Sequence, residues 1–158
     1  MPELRSFIFL DQLQPQTLAY VASWMRGSLP RHNMAAQIIE IAPGLEIETL
    51  TDVALKGANV KVGLLVVERQ YGYLEFHSRS TAEVKAGAQA VLDVMGAQTE
   101  DASRPQILGS KVVTGVDHQH AFLINRNKLG SMILGGDSLY LLECQPASYA
   151  ILACNEAE

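Results

Sequence analysis

Three groups of residues in this 158-residue chain are of types that could do chemistry. Glu68 and Arg69 stand side by side where the apolar run Val60 to Val67 ends, followed by Gln70, Tyr71 and Gly72. An adjacent acid and base at a strand exit can pair with each other or turn outward separately, and from the pattern alone the pair reads first as an ordinary solvated turn after a strand. The second group, Asp117-His118-Gln119-His120, offers two imidazoles. An HxH pair without a third placed ligand does not make a metal site, and Asp117 reads instead as a helix cap. The third is Cys144 and Cys154, which form no CxxC motif and have no metal-type spacing to the histidines. They read as two reduced, half-buried thiols; a cluster would need three cysteines meeting on a symmetry axis. No nucleophile and base pair, phosphate loop or supported carboxylate pair occurs, so neither catalysis nor a metal or cofactor is expected.

The elements that must position these groups follow from periodicity. Gln37 to Ile41 reads as a strand, Pro43-Gly44 as a corner, Ile47 to Ala58 as a helix, and Val60 to Val67 as a strand covered on both faces or lying at an interface. Glu68 to Gly72 is then a polar loop, with Gly72 giving its backbone room. Tyr73 to His77 alternates like a strand. Thr81 to Gly96 is a helix, with Val84, Ala88, Val91, Leu92 and Met95 on one face, Glu83 in the first turn and Gly96 as its stop. Upstream, Ser6 to Leu10 is a short strand, and Gln16 to Arg26 carries helical spacing closed by Gly27. Trp24 and Met25 near its end read as packing. Ala97 to Pro105 is a surface loop, after which Gln106 to Leu108 and Lys111 to Val113 resume strand character.

Hydrophobic residues make up 48% of the chain and charged residues only 18%, so part of the apolar surface is expected to face other subunits. A net charge of −5 with scattered Lys and Arg argues against a nucleic-acid surface. No apolar run has membrane-span length and Met1 to Arg5 has no signal-peptide architecture, so a cytoplasmic protein without a membrane partner is expected.

An internal repeat is the most informative pattern. Ile38-Ile39-Glu40-Ile41-Ala42-Pro43-Gly44 returns as Leu141-Leu142-Glu143-Cys144-Gln145-Pro146-Ala147, an offset of 103 residues. The same ungapped offset lays Gly27-Ser28-Leu29 on Gly130-Ser131-Met132, Phe9-Leu10 on Val112-Val113, and Asp52-Val53-Ala54 on Asn155-Glu156-Ala157. The chain is thus expected to hold one complete α/β unit over 1–108 and the start of a second, incomplete copy over 109–158. A half-built unit leaves an open strand edge, which either a longer chain or a neighbouring chain would complete.

Val53-Ala54-Leu55-Lys56-Gly57-Ala58-Asn59-Val60 resembles the helix-to-strand junction of the bacterial microcompartment shell domain, and the strand and helix ahead of the Ile-Ile-Glu strand resemble its circularly permuted form. Phe9 to Pro15, Glu40 to Gly44, Val67 to Gly72, Leu123 to Arg126 and Ala153 to Glu158 look more narrowly like the tandem-domain, carboxysome-type shell proteins. The resemblance covers essentially the whole chain. It implies α/β (α+β) sandwich domains, three chains closing a flat pseudo-hexagonal homotrimer, and two trimers able to stack as a dimer of trimers. It also implies that Glu68, Arg69, Gln70, Tyr71 and Gly72 ring a central pore as its gate, and that Lys56 sits at the tile edge. Glu40, Pro43, Gly44, Glu143 and Pro146 would form strand-to-helix corners near an interface. The implied partners are copies of itself, other shell proteins and small anionic metabolites crossing the pore, in a shell within the cytoplasm. A soluble oligomeric ligand-binding or regulatory α/β domain is the alternative of a different class.

Overall fold

The computed structural model describes residues 2–127 and 132–158. Alternating burial of Leu4, Ser6, Ile8 and Leu10 builds β1 (Glu3–Leu10), and the wholly apolar-flanked run around Ile38 and Ile39 builds β2 (Ala35–Ala42). With β3 (Lys61–Glu68) and β4 (Tyr71–Ser78) they form one antiparallel sheet in the order β1-β2-β4-β3. One face is covered by α2 (Ile47–Gly57) and α3 (Thr81–Met95), whose Ile47, Leu50, Ala54, Val84, Val91 and Met95 pack on Ile39, Ile41, Leu74 and Phe76. The periodic apolar stripe of α3 starts at Ser80, whose hydroxyl accepts from the Glu83 N–H, and stops at Gly96 in the left-handed conformation. Burying residues of this size is worth about 1.5–3 kcal/mol each, so this layer carries most of the unit's stability.

The repeat is present in three dimensions. β5 (Gln106–Val113), α4 (His118–Asn127), β6 (Leu139–Gln145) and α5 (Tyr149–Ala157) follow β1, α1 (Pro15–Ala22), β2 and α2 at nearly the same offset. The pairing Glu3↔Ala42 recurs as Gln106↔Gln145, and the bulge between Leu4 and Ser6 recurs between Ile107 and Gly109. Both corners, Ala42-Pro43 and Gln145-Pro146, have a cis peptide bond. β5 is continuous and straddles the expected boundary at 108/109. The sequence match at Gly130 and Ser131 lies outside the described residues.

The two units touch inside the chain. On the second face of the main sheet, Ile8, Leu10, Leu13, Ala36 and Ile38 are packed by Tyr149, Ile151 and Leu152 of α5. Asn155 binds the Gln14 N–H (2.9 Å) and the Gln12 carbonyl (3.0 Å), while the Glu158 side chain accepts from the N–H groups of Gln16 and Thr17 at the start of α1.

Two expectations change. α1 stops at Ala22 rather than running to Arg26, because the N–H groups of Arg26, Gly27 and Ser28 bond across to the Gly63 and Val62 carbonyls of β3. Met25 keeps helical spacing only because this crossing segment buries it, whereas Trp24 is 54% exposed. β3 is an edge strand, half-exposed along its length, so the reading of a strand covered on both faces does not hold within a single chain.

Candidate functional site

The polar stretch after β3 is a tight hairpin turn rather than a loop. Glu68 pairs with Tyr71 and Val67 with Gly72, so only Arg69 and Gln70 lie outside the ladder. Arg69 takes the left-handed conformation (φ 56), a cost of about 1–3 kcal/mol for a residue with a Cβ and a common mark of functional turns. Glu68, Arg69 and Gln70 are exposed. Gln70 donates to the Tyr71 hydroxyl at 2.8 Å. Among the described residues no hydrogen bond or ion pair engages the Arg69 guanidinium or the Glu68 carboxylate.

The base of this hairpin is clamped. A Cβ at Gly72 would lie 2.5 Å from the Gly44 carbonyl oxygen and 2.7 Å from the Ile47 Cβ, and one at Gly44 would lie 2.7 Å from the Gly72 nitrogen. Gly72 is therefore required for close approach of the Pro43-Gly44 corner, and not for the backbone freedom expected of it. The corner residues Glu40, Pro43 and Gly44 are brought to the hairpin base, whereas Lys56 lies at the far end of α2, 76% exposed and paired with Asp52. In the second copy Glu143 is exposed and Pro146 buried.

Arg5, unremarked in the sequence, organises the site. It is the extra residue of the β1 bulge, since Leu4 pairs with Ile41 and Ser6 with Glu40, and the bulge re-aims its side chain. Its Nε donates to the buried Glu40 carboxylate at 2.8 Å, and its guanidinium lies 4.2 Å from the centroid of the Tyr71 ring. Burial opposes the Arg5 charge, but Glu40, Tyr71 and Glu3 outweigh it and raise its pKa. Glu40 also accepts from the Ser148 hydroxyl at 2.8 Å, and Ser148 meets Ser6 at 2.5 Å. A chain of contacts thus runs from the head of α5 to the Glu68–Tyr71 hairpin. Tyr73, cross-strand from Glu40, has its pKa pushed up to about 12 by burial and by the charges of Glu40 and Glu68. It stays a neutral phenol at working pH.

The other chemistry-bearing residues have structural partners. Asp117 caps α4 through the Gln119 N–H (2.8 Å). Burial raises the thiol pKa of Cys144 and of Cys154, which favours the protonated form in both; Cys144 is half-buried as expected, whereas Cys154 is exposed. Glu75 and His77, buried on the sheet face under Met25, bond at 2.9 Å, and Glu75 also accepts from the Gly63 N–H. Desolvation raises the Glu75 pKa against these bonds.

A clamped acid and base hairpin on a permuted, repeated α/β unit is a combination with known relatives. The model of the CsoS1D N-terminal domain matches residues 4–101. The chain belongs to the CsoS1D family of microcompartment shell proteins. Its relatives include the carboxysome shell protein CcmP of Synechococcus elongatus, 44% identical over 99% of this chain and 73% of the relative. The carboxysome shell protein CsoS1D of Hydrogenovibrio crunogenus is 42% identical over 100% of this chain and 78% of its own. Among solved structures, the fused permuted hexameric shell protein MSM0275 from the RMM microcompartment is 66% identical, covering 98% of this chain and 76% of that one, with a TM-score of 0.90. The double-ringed trimeric shell protein MSM0271 from the same kind of microcompartment is 40% identical at a TM-score of 0.89, covering 100% of this chain and 76% of that one. The hairpin therefore belongs to a CsoS1D-family shell protein.

Proposed function

We propose that three copies of this CsoS1D-family chain close a pseudohexameric tile whose central passage is rimmed by Glu68, Arg69, Gln70, Tyr71 and Gly72. Arg69 is the gate. The observation that carries this reading is the contrast within one hairpin, an apex arginine with no partner among the described residues above a base held by Gly44, Gly72 and the Arg5 to Tyr71 stack. Turned inward, three guanidinium groups narrow the passage and attract anions; turned aside, each can be satisfied in bidentate fashion by a Glu68 carboxylate, leaving a wider bore. The chain acts as a selective wall and carries out no reaction.

Lys56, far from the hairpin, joins tile to neighbouring tile, with other shell proteins as further partners. Two trimers stack as in the double-ringed relative. The 66% identity to the fused permuted RMM protein, against 42–44% for the two carboxysome relatives, favours a compartment of the RMM kind over a carboxysome as the setting. Small anionic intermediates are the traffic.

The test is single-channel conductance of the purified protein in a planar bilayer, with tiles checked by negative-stain microscopy. Arg69→Ala should raise conductance and lower anion preference, and Glu68→Gln should shift preference toward anions. Unchanged conductance and selectivity in both variants would exclude the hairpin as the pore rim.

A further inference from the structure

The bulges of β1 and β5 share a backbone, yet only the first carries a charge. Leu108 stands at the place of Arg5 and is 55% exposed, so no arginine is needed to form the bulge. The Arg5 side chain is 12% exposed and that of Glu40 1%, and two charges buried together give a fold little that apolar side chains of the same size would not. The pair calls for a use other than packing.

The surroundings of the pair supply one. From β1 the Arg5 side chain passes over β2 to Tyr71 on β4. Its Nε donates to Glu40 at 2.8 Å, its guanidinium lies 4.2 Å from the centre of the Tyr71 ring, and the Tyr71 hydroxyl accepts from the Gln70 amide at 2.8 Å. Gln70 is thereby tied back to the sheet, whereas Arg69 beside it has no partner among the described residues. The field of the pair also reaches the hairpin. Burial first, then Glu40 and Glu68, raise the Tyr73 pKa to about 12, and Arg5 works against them. Charge at Glu40, Arg5 and Glu68 thus acts on one phenol, so an imbalance between the first two is within range of the third.

We propose that Arg5 is a positioning residue for charge selection at the passage: its charge cancels that of Glu40 behind the rim, and its stack on Tyr71 holds Gln70, so that Glu68 and Arg69 alone decide which ions pass. This rests on the pore rim proposed above. Neutralising either partner leaves the charge of the other unbalanced behind the rim. An excess at Arg5 favours anions and an excess at Glu40 favours cations, so the two single substitutions act with opposite signs. Damage to the fold could not produce that opposition.

The test is the reversal potential of the full chain in a planar bilayer across a potassium chloride gradient, with circular dichroism to verify folding. Glu40→Gln should raise the anion-to-cation permeability ratio about 2- to 10-fold. Arg5→Gln, in which the Ser148 hydroxyl and N–H still hold Glu40 ionised, should lower it by a similar factor. Each glutamine keeps a donor or an acceptor for its partner, and either sign alone decides the matter should the other variant not fold. Arg5→Lys, and Arg5→Gln combined with Glu40→Gln, should return the ratio to that of wild type. Both single shifts should shrink at about 1 M salt, where charges are screened within about 3 Å. Shifts of the same sign, or none while Arg69→Ala moves the ratio, overturn this inference alone. A ratio that Arg69→Ala and Glu68→Gln also leave unmoved overturns the pore rim with it.

Discussion

The Glu40 corner and the Glu143 corner share a backbone and share almost nothing else. Each follows the same bulged strand pairing, and each ends in the same proline turn. At the first corner the carboxylate is buried with Arg5, Ser148 and Ser6 in reach; at the second it is exposed, with Leu108 and Gly109 at the places of Arg5 and Ser6. The difference teaches that duplication conserved the path of the chain while the side chains diverged by what covers them. One corner is specified for an intrachain partner that is always present, the other for a surface that opens to something else.

The largest expected effect tests that assignment directly. Glu40→Ala leaves the mostly buried Arg5 without its carboxylate and Ser148 with only Ser6 to bond, and should cost about 3–5 kcal/mol in urea unfolding, whereas Glu143→Ala should stay within about 0.5 kcal/mol. Equal costs would dissolve the contrast. The second is steric: Gly72→Ala must force Gly44 and Ile47 apart and should cost about 1–3 kcal/mol, whereas Ala147→Gly, at the exposed counterpart of Gly44, should cost under about 1 kcal/mol.

The third prediction concerns pH and the first unit alone. Burial raises the Glu75 pKa, so the folded chain holds a proton that the unfolded chain has already released. Stability is then fully present below the ordinary carboxyl range and falls as pH rises through the raised folded value, at up to about 1.4 kcal/mol per pH unit. Glu75→Gln should flatten that slope in a pH series of thermal melts, and an unchanged slope would assign the burden to another group. The smallest effect is at the apex. Arg69→Gly relieves the left-handed strain against the entropic cost of a glycine and should stabilise the chain by roughly 1 kcal/mol or less, while under the proposed function it opens the passage, separating the turn's folding cost from its use.

Much of the fold was legible because local signals agreed with their tertiary outcome. α3 has its serine cap, apolar stripe and glycine stop in one stretch, and the Glu68-Arg69 pair announced itself by standing where an apolar run ends. The 103-residue repeat marks the second unit's strands and helices by their likeness to the first. What was hidden depended on pairing. Arg5 becomes special only through a bulge, and a bulge belongs to two strands and cannot be seen along one. Ser148 has its carboxylate partner 108 residues away. α1 ends early because a competing edge strand takes the next N–H groups, a contest that helical spacing at Met25 conceals. Close approach of Gly44 and Gly72 likewise depends on two segments meeting, so the glycine was visible but its reason was not.

The two interlocked glycines beneath the hairpin have a kinetic consequence. With no space between those backbones, the hairpin has no hinge to swing on, and in the proposed pore the moving part is reduced to the arginine side chain itself. Exposed rotamers exchange in picoseconds to nanoseconds, against microseconds or longer for collective backbone motions. Such a valve would flicker many times while a metabolite diffuses past, so its throughput would be governed by the average occupancy of two poses and would respond to a passing charge without delay.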